Sequence, residues 1–400
     1  MHVILKFPVR LGTIIAGGGL ALVFGQAGQA ASFDCSKANA PIEQAICSDP
    51  TASAADTEMD QLYKTASARL SPAGKALFRE SQRSFLRYAT DLCRPGAVPL
   101  DAAGRSWHWH GKPEPANTEV VTQCLAEVFD KRNRALGQAV TALGGRVFFT
   151  TMRYRVRPAH QEDDDNQAQP DAVTEIKALV QIDRPRSHAE RNWNRAMTNL
   201  IEKPEGAGVV EAVTIDDDDV DVSVAMSLVS ASPNLIATRI DLSNYFKGHP
   251  HPQSAHWNQN WSLPLGRMLT KDDVFDGSKP WSNALATEAE AHFVGYATEK
   301  PETPITEIGD NDTQWAFTNE GLRIGYDPYS LGSYLSGGNT VIPWAALAPF
   351  LRRPLPFDPA RLIDPMIIDQ NGKVGSCPQA WCSWPAAAEP LATRAFNMAP

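Results

Sequence analysis

The sequence predicts a multidomain α and α+β protein, in which a disulfide-pinned helical bundle precedes an α+β domain with an antiparallel sheet. Residues 36–142 carry apolar side chains at helical spacing, whereas the chain after Gly144-Gly145 alternates between strand-like segments and short helices. A length of 400 residues is also more than one hydrophobic core usually serves. We therefore expect domains at 31–143 and 144–352, preceded by residues 1–30 and followed by a tail over 353–400.

Residues 1–30 have the pattern of a secretory signal peptide. Two basic residues precede the uncharged apolar stretch from Leu11 to Phe24, and small residues at 28 and 30 favour cleavage after Ala30. An uncleaved anchor is the alternative, although the apolar stretch is short for a membrane span. We expect a periplasmic or secreted protein with no stable membrane insertion after cleavage.

All six cysteines follow the predicted signal, and an even number in an exported protein favours disulfides. The four cysteines near the N-terminus allow three connectivities. We favour the one in which each bond encloses a local loop, which pairs Cys35 with Cys47 and Cys93 with Cys124. The C-terminal pair predicts a local clip between Cys377 and Cys382.

The predicted helices of the first domain include 56–70, a helix that begins at Ser71-Pro72, and a last helix from Glu119 to Leu143. In the second domain, helices are expected at 188–203, 280–298 and from 343. Strands are expected by alternation at 147–156, 173–182, 220–229, 235–242, 257–263 and 340–344, with a hairpin over 314–326.

The acidic charge lies in the second domain. Residues 141–400 hold 33 acidic and 22 basic side chains, whereas the two signs balance over 31–140. An acidic surface disfavours nucleic acid and attracts basic proteins, although solubility alone would also account for it.

The sequence lacks the common catalytic patterns: no nucleophile elbow, zinc-binding histidine pair or phosphate-binding glycine loop occurs in the mature chain. We therefore expect neither an enzyme nor a cofactor, although scattered catalytic residues are an alternative. The acidic run Asp216–Asp219 fails the EF-hand pattern and is read as a solvated turn. The histidines at 108, 110, 249, 251 and 256 could bind a metal, but no acidic or thiolate ligand lies beside them, so no metal site is predicted.

The first domain resembles the lysozyme inhibitor LprI N-terminal family over about residues 33–140. The resemblance rests on the four-cysteine pattern, Gln82-Arg83-Ser84-Phe85-Leu86, and the helix from Cys124 through Arg132 to Leu136. The sequence departs from the family in its long Cys93–Cys124 insert and in Phe85, where tryptophan is more usual.

The second domain resembles the C-terminal lysozyme-binding domain of the anti-sigma factor RsiV, over about residues 147–350. The matching segments are 245–250, 261–263, 269–275, 317–322, 326–331 and 342–344. Together the two resemblances imply an exported lysozyme-binding protein that inhibits a basic lysozyme by covering its cleft. A non-inhibitory module that binds cell-wall glycan (peptidoglycan) through its tryptophans is the alternative.

Turn-rich aromatic segments are the candidate partner contacts, because rigid aromatic side chains bury much area at low entropic cost. Structural roles in turns and in the core are the alternative for the same residues, and capping of the bundle is the alternative for the two tryptophans. The candidates are Tyr245, Gly248, His249, Pro250, Tyr326, Asp327, Pro328, Tyr329, Tyr334, Trp107 and Trp109.

Overall fold

The computed structural model describes residues 31–93, 118–159, 172–202, 215–216, 219–247, 249–295, 312–326, 338–368 and 374–376. The predicted signal over 1–30 lies outside these ranges. Within them, no helix combines the length and apolarity that crossing a lipid bilayer requires.

The first part of the chain folds into four α-helices, which we call the helical module. Proline opens the first three helices, and Asp49 and Ser71 cap the second and third by accepting the N–H groups of Ala52 and Gly74. The helices are α1 (Pro41–Ser48), α2 (Pro50–Ala68), α3 (Pro72–Leu92) and α4 (Thr118–Gly137).

The favoured disulfide connectivity is confirmed at both N-terminal bonds. Cys35 joins Cys47, and Cys93 joins Cys124. The second bond ties the end of α3 to α4 across 31 residues of chain. A cross-link of that span stabilises a fold by about 3–4 kcal/mol in the loop-entropy account.

The expected helix from Glu119 to Leu143 is wrong at its end. Helix α4 ends at Gly137, and residues 140–143 form strand β1 instead. The reason is the glycine pair: Gly144 and Gly145 have φ angles of 55° and 78°, which suit a tight two-residue hairpin. Strand β1 thereby pairs antiparallel with β2.

A seven-stranded sheet follows, with the strands in chain order and antiparallel except for β3 and β4. Helix α5 (His188–Glu202) makes the crossover between that parallel pair, and the α+β prediction is confirmed. The strands are β1 (Val140–Leu143), β2 (Arg146–Pro158), β3 (Ala172–Asp183), β4 (Val220–Ala231), β5 (Leu235–Phe246), β6 (Gln253–Ser262) and β7 (Arg267–Met268).

Helix α5 is held against the sheet by one amide and an apolar face. The Asn194 side chain accepts the Ile182 N–H at 2.8 Å and donates to the Ile182 carbonyl at 3.0 Å, as a neighbouring strand would. Trp193 and Met197 are fully buried in the core below. The helix begins with a capping box in which Ser187 and Glu190 exchange hydrogen bonds.

A second, four-stranded antiparallel sheet packs beside β6 in the order β8-β11-β10-β9. The helix predicted over 280–298 is too long, because α7 ends at Ala291 and β8 begins at Phe293. The elements are α6 (Lys271–Val274), α7 (Trp281–Ala291), β8 (Phe293–Gly295), β9 (Trp315–Phe317), β10 (Gly321–Tyr326), β11 (Gly338–Pro343), α8 (Trp344–Leu347), and the pair β12 (Met366–Ile368) and β13 (Val374–Ser376).

Side-chain amides join the two sheets. Asn258 donates to the Gln314 carbonyl at 2.9 Å, and Asn260 donates to the Trp315 carbonyl at 2.7 Å. These buried bonds satisfy polar groups that would otherwise cost free energy in the core. They fix the position of the second sheet against β6.

Helix α3 closes the open edge of the first sheet. Strand β1 pairs with β2 only as far as Phe149, which leaves later N–H groups of β2 facing outward. Two α3 hydroxyls accept those groups: Ser81 from the Met152 N–H at 2.8 Å and Ser84 from the Tyr154 N–H at 3.1 Å. A helix that covers a strand edge removes a pairing surface that would favour aggregation.

The first turn of α3 is fixed by a carboxylate from the sheet. Asp183, at the end of β3, accepts the Ser71 backbone N–H at 2.9 Å and the Ser71 hydroxyl at 2.5 Å. Its negative charge lies at the positive end of the helix dipole. A Cβ on Gly74 would stand 2.4 Å from Asp183 Oδ1, so the approach requires glycine there.

Gly74→Ala should therefore lower the free energy of unfolding by about 1–3 kcal/mol, because the carboxylate must move away from the helix end. Urea denaturation measures the change. Gly137→Ala is the matched control, since a Cβ there meets no atom within 4 Å. The control should be neutral or slightly stabilising, and equal losses in both variants would contradict this account.

The hydrogen bonds of the Glu190 carboxylate predict that acid will lower the stability of the protein. Burial raises its pKa, but hydrogen bonds from the Arg186 N–H, the Arg146 guanidinium and the Ser187 N–H outweigh that effect and hold the pKa below the ordinary value. The stabilisation is therefore present above the unfolded-state pKa and is lost as the pH falls through the lower folded-state pKa. Glu190→Gln should destabilise the protein at pH 7, and the difference from the natural protein should shrink below about pH 4. A difference in the free energy of unfolding between the two proteins that stays constant down to low pH would contradict this account of Glu190.

Candidate functional site

A buried arginine organises the helical module. Arg132 of α4 is 3% exposed, and its Nε and Nη2 donate to Gln82 Oε1 at 3.1 and 3.0 Å. Its Nη1 reaches the Tyr154 hydroxyl at 3.4 Å. The guanidinium also lies over the Phe85 ring, 5.5 Å from its centroid. We call Gln82, Phe85, Arg132 and Tyr154 the Arg132 cluster.

The cluster contains no carboxylate to balance the Arg132 charge. The amide oxygen of Gln82 and the phenol oxygen of Tyr154 accept hydrogen bonds from the guanidinium, and together with two aromatic faces they replace the water that it loses on burial. Burial raises the pKa of Tyr154, and the nearby Arg132 charge partly opposes that rise. The cluster joins α3, α4 and β2, so it couples the helical module to the sheet.

Several of the residues that carry the family resemblance are internal, whereas Arg83 and Leu86 of the same motif are exposed. Gln82, Phe85 and Arg132 meet in the cluster, and Leu125 and Leu136 are buried. Partner contacts must come from exposed side chains instead. The outer face of α3 carries three exposed basic side chains: Arg79, Arg83 and Arg87.

The predicted contact segment 245–250 begins at the end of β5, where Tyr245 pairs with Asp221 of β4. Asp221 is 7% exposed and accepts the Thr174 N–H at 2.7 Å and Lys247 Nζ at 2.5 Å. Lys247 Nζ lies 5.8 Å from the centroid of the half-buried Tyr245 ring. Burial raises the Tyr245 pKa, and the Asp221 charge raises it further.

The described residues of this segment are therefore of two kinds: those that pair within the sheet and those that are exposed. Lys247 is held by the Asp221 carboxylate, and the half-buried Tyr245 pairs with Asp221 across the two strands. His249 and Pro250 are exposed, with the His249 ring 5.6 Å from that of Phe246, and these two remain candidate contacts. Gly248 lies outside the described residues.

Tyr326 is placed in the core rather than on the surface. It is 1% exposed, its ring packs edge-on against Phe293 at 5.5 Å, and burial raises its pKa. It therefore offers no surface to a partner in this fold. The other candidates and the C-terminal cysteines fall outside the described residues: Trp107, Trp109, Asp327, Pro328, Tyr329, Tyr334, Cys377 and Cys382.

The acidic run after residue 215 is engaged by arginines at its described positions. Arg155 donates to Asp216 at 2.6 Å, and this bond holds the Asp216 pKa below its ordinary value. Arg157 lies 3.0 Å from Asp219. Among the residues that the structure describes, no group of three or more histidine, cysteine or acidic side chains is placed to bind a metal.

The comparisons with known proteins concern the two parts separately. Residues 35–136 match the family model Lysozyme inhibitor LprI. This LprI-matching region is about a quarter of the chain and runs from the first disulfide to the end of the buried face of α4. No curated protein is significantly similar to the chain.

Two solved structures from the DUF3298 family are similar to part of the chain. One, from Bacteroides fragilis, has a TM-score of 0.36 and 13% sequence identity, and the match covers 53% of this chain and 96% of that one. The other, from Pseudomonas aeruginosa, has a TM-score of 0.35 and 13% identity, and covers 52% of this chain and 95% of that one.

Removing the acceptor of the Arg132 cluster tests its role. Gln82→Leu should lower the free energy of unfolding by about 2–4 kcal/mol, because it leaves a buried guanidinium without its main partner. Adding Arg132→Met should recover part of that loss, since the charge is then gone. Gln123→Leu, on the exposed face of α4, is the control and should change little. A double variant no more stable than Gln82→Leu would contradict the role.

Proposed function

We propose that the protein binds lysozyme and lowers its activity, with the helical module as the principal binding element. The observation that carries the proposal is the match of residues 35–136 to a family described as lysozyme inhibitors. The matched residues supply most of one buried core, which also includes Val140 and Phe149 of the first sheet, and they contain both described disulfides. A rigid, cross-linked surface suits an inhibitor, because little conformational entropy is lost on binding.

We propose that lysozyme binds the face of the helical module that does not contact the sheet. Helix α3 is bound to the sheet through Ser81 and Ser84, whereas α2 packs on α4, α1 packs on α2 and α4, and both turn their outer sides to solvent. Exposed side chains there include Gln44, Gln61 and Lys64. Contact at this face would place the module across the cleft of the enzyme.

We propose that the sheet domain contributes a second contact with lysozyme and the negative charge that attracts it. Its resemblance to the lysozyme-binding domain of RsiV, and its excess of acidic residues, favour approach by a basic lysozyme. His249 and Pro250 are the exposed described residues of that contact. The segments around Trp107, Trp109 and 327–334 are proposed contacts on the sequence alone.

Export to the periplasm or the medium belongs to the same proposal. The two described disulfides suit an oxidising compartment, which is where secreted lysozymes act. The expected signal over residues 1–30 would direct that export.

Glycan binding without inhibition is the less favoured function. It depends on tryptophans that can stack on sugars. Six of the ten tryptophans lie in the described residues, and all six are buried or half-buried. Trp281, for example, stacks on Phe275 with ring centroids 4.6 Å apart.

A turnover assay on cell-wall substrate with the purified protein tests the proposal. Near-stoichiometric protein should suppress a basic lysozyme, and added salt should weaken the effect because complementary charge contributes. Unchanged turnover at large molar excess, with no association at low ionic strength, would contradict it. Retention on purified wall without inhibition would favour the glycan alternative.

The binding face is tested by adding one positive charge at either of two helices. Gln61→Arg on α2 should weaken inhibition about tenfold, because the new charge faces a basic partner across the contact. Thr287→Arg on the exposed side of α7 adds the same charge away from the module and should change inhibition little. Equal effects of the two variants would place the contact elsewhere.

A further inference from the structure

A charged cavity lies at the corner where the helical module meets the first sheet. Its volume is about 120 Å³, enough for several water molecules or one small ion. Three connections converge on it: the α2–α3 turn, the β1–β2 hairpin and the link from β3 to α5. Its lining residues are Arg69, Arg146, Val147, Ile182, Asp183, Arg184, Arg186 and Glu190.

The two carboxylates of the cavity are already committed to neighbouring groups. Asp183 accepts the Ser71 N–H and hydroxyl, and Glu190 accepts Arg146 Nε at 2.8 Å and the Arg186 N–H at 2.5 Å. Both are almost fully buried, at 7% and 6% exposure. Their charge is therefore directed inward, to the helix ends and to Arg146.

The guanidinium groups at the rim form fewer hydrogen bonds and ion pairs than the two carboxylates do. Arg184 Nε lies 3.7 Å from Asp183, and its side chain is 70% exposed. Arg69 donates one bond to the Val140 carbonyl. Within the described residues, neither Arg69 nor Arg186 forms an ion pair. Four arginines against two acids leave the cavity positive in a chain whose net charge is −9.

Two helix N-termini also reach this corner, and each one is already capped by one of the two carboxylates. Helix α3 begins at Pro72 beside Asp183, and helix α5 begins at His188 beside Glu190. Each N-terminus carries about half a positive charge from its aligned peptide dipoles. Because the carboxylates already neutralise these helix ends, the excess positive charge of the corner comes from the arginines, whose guanidinium groups are donors that proteins use for oxyanions.

Backbone strain at the rim is consistent with a ligand. Arg184 has a φ angle of 53°, a left-handed conformation that non-glycine residues adopt at a cost. Glycine would take this conformation freely. The chain instead keeps a long cationic side chain at this position, on the rim of the cavity.

We propose that this corner binds a small oxyanion, namely a phosphate group that is either free or the end of a phosphate ester. Arg184 and Arg186 would supply the charged donors, with Arg69 at the opposite side of the rim. The site does not depend on lysozyme binding, because its charge repels a basic protein and its residues lie on the sheet side of the module.

Calorimetric titration at low ionic strength tests the site, with inorganic phosphate in one arm and glycerol phosphate in the other. Either ligand should bind the natural protein at millimolar concentration or below and raise its Tm. Tighter binding of the ester would assign the site to the end of a larger ligand. Tighter binding of inorganic phosphate would assign it to the free ion.

Two variants and one control keep the test specific. Arg184→Gly and Arg186→Ala should each weaken phosphate binding about tenfold or more, through loss of a charge-assisted bond. Arg184→Gly should leave the Tm unchanged or higher, because it also relieves the left-handed backbone. Arg195→Ala removes an exposed arginine of α5 outside the cavity and should bind as the natural protein does. Absence of binding in both arms, or natural affinity in both variants, would overturn the proposal.

Discussion

The contact between helix α3 and the edge of β2 is the interaction on which the rest of the structure depends. Ser81 and Ser84 accept the outward N–H groups of β2, and Asp183 holds the first turn of the helix. Along the same helix, the buried charge of Arg132 is satisfied by Gln82 and by Tyr154 of the strand. Without this contact the sheet would expose an unpaired edge, and the Arg132 cluster would lose its phenol.

That contact also decides which surfaces can meet a partner. One side of the helical module is used internally, together with Gln82, Phe85 and Arg132 of the family resemblance. The outer sides of α1 and α2 remain exposed, as does the turn at His249 and Pro250. The interior therefore holds the fold, and the exposed surface determines what the protein can bind.

Local patterns in the sequence predicted the elements whose signals are local. The alternation from Val220 to Leu228 indicated strand β4, and Ser71-Pro72 marked the start of α3. The pairing of Cys93 with Cys124 followed from the preference for bonds that enclose a local loop. The end of α4 was predicted too late because the Gly144-Gly145 hairpin pairs residues 140–143 with β2, and the end of α7 was predicted too late because β8 is fixed by pairing with the distant β11.

The candidate site was less predictable for the same reason. Gln82 and Arg132 are 50 residues apart, and Ser71 and Asp183 are 112 apart, so no window of sequence contains either pair. Tyr326 stood in a turn-rich aromatic segment and suggested a contact, yet its place at the end of β10 turns the ring into the core against Phe293. Periodicity indicates which residues share a face, and only the fold decides what covers that face.

Hydrogen exchange of the protein with and without a basic lysozyme tests the central claim most directly. Bound lysozyme should slow exchange in α1 and α2, with a smaller effect around residue 249, and should leave the amides at the α3–β2 contact unchanged. Protection confined to the second sheet, or none at a saturating concentration of lysozyme, would contradict the claim that the helical module carries the binding surface.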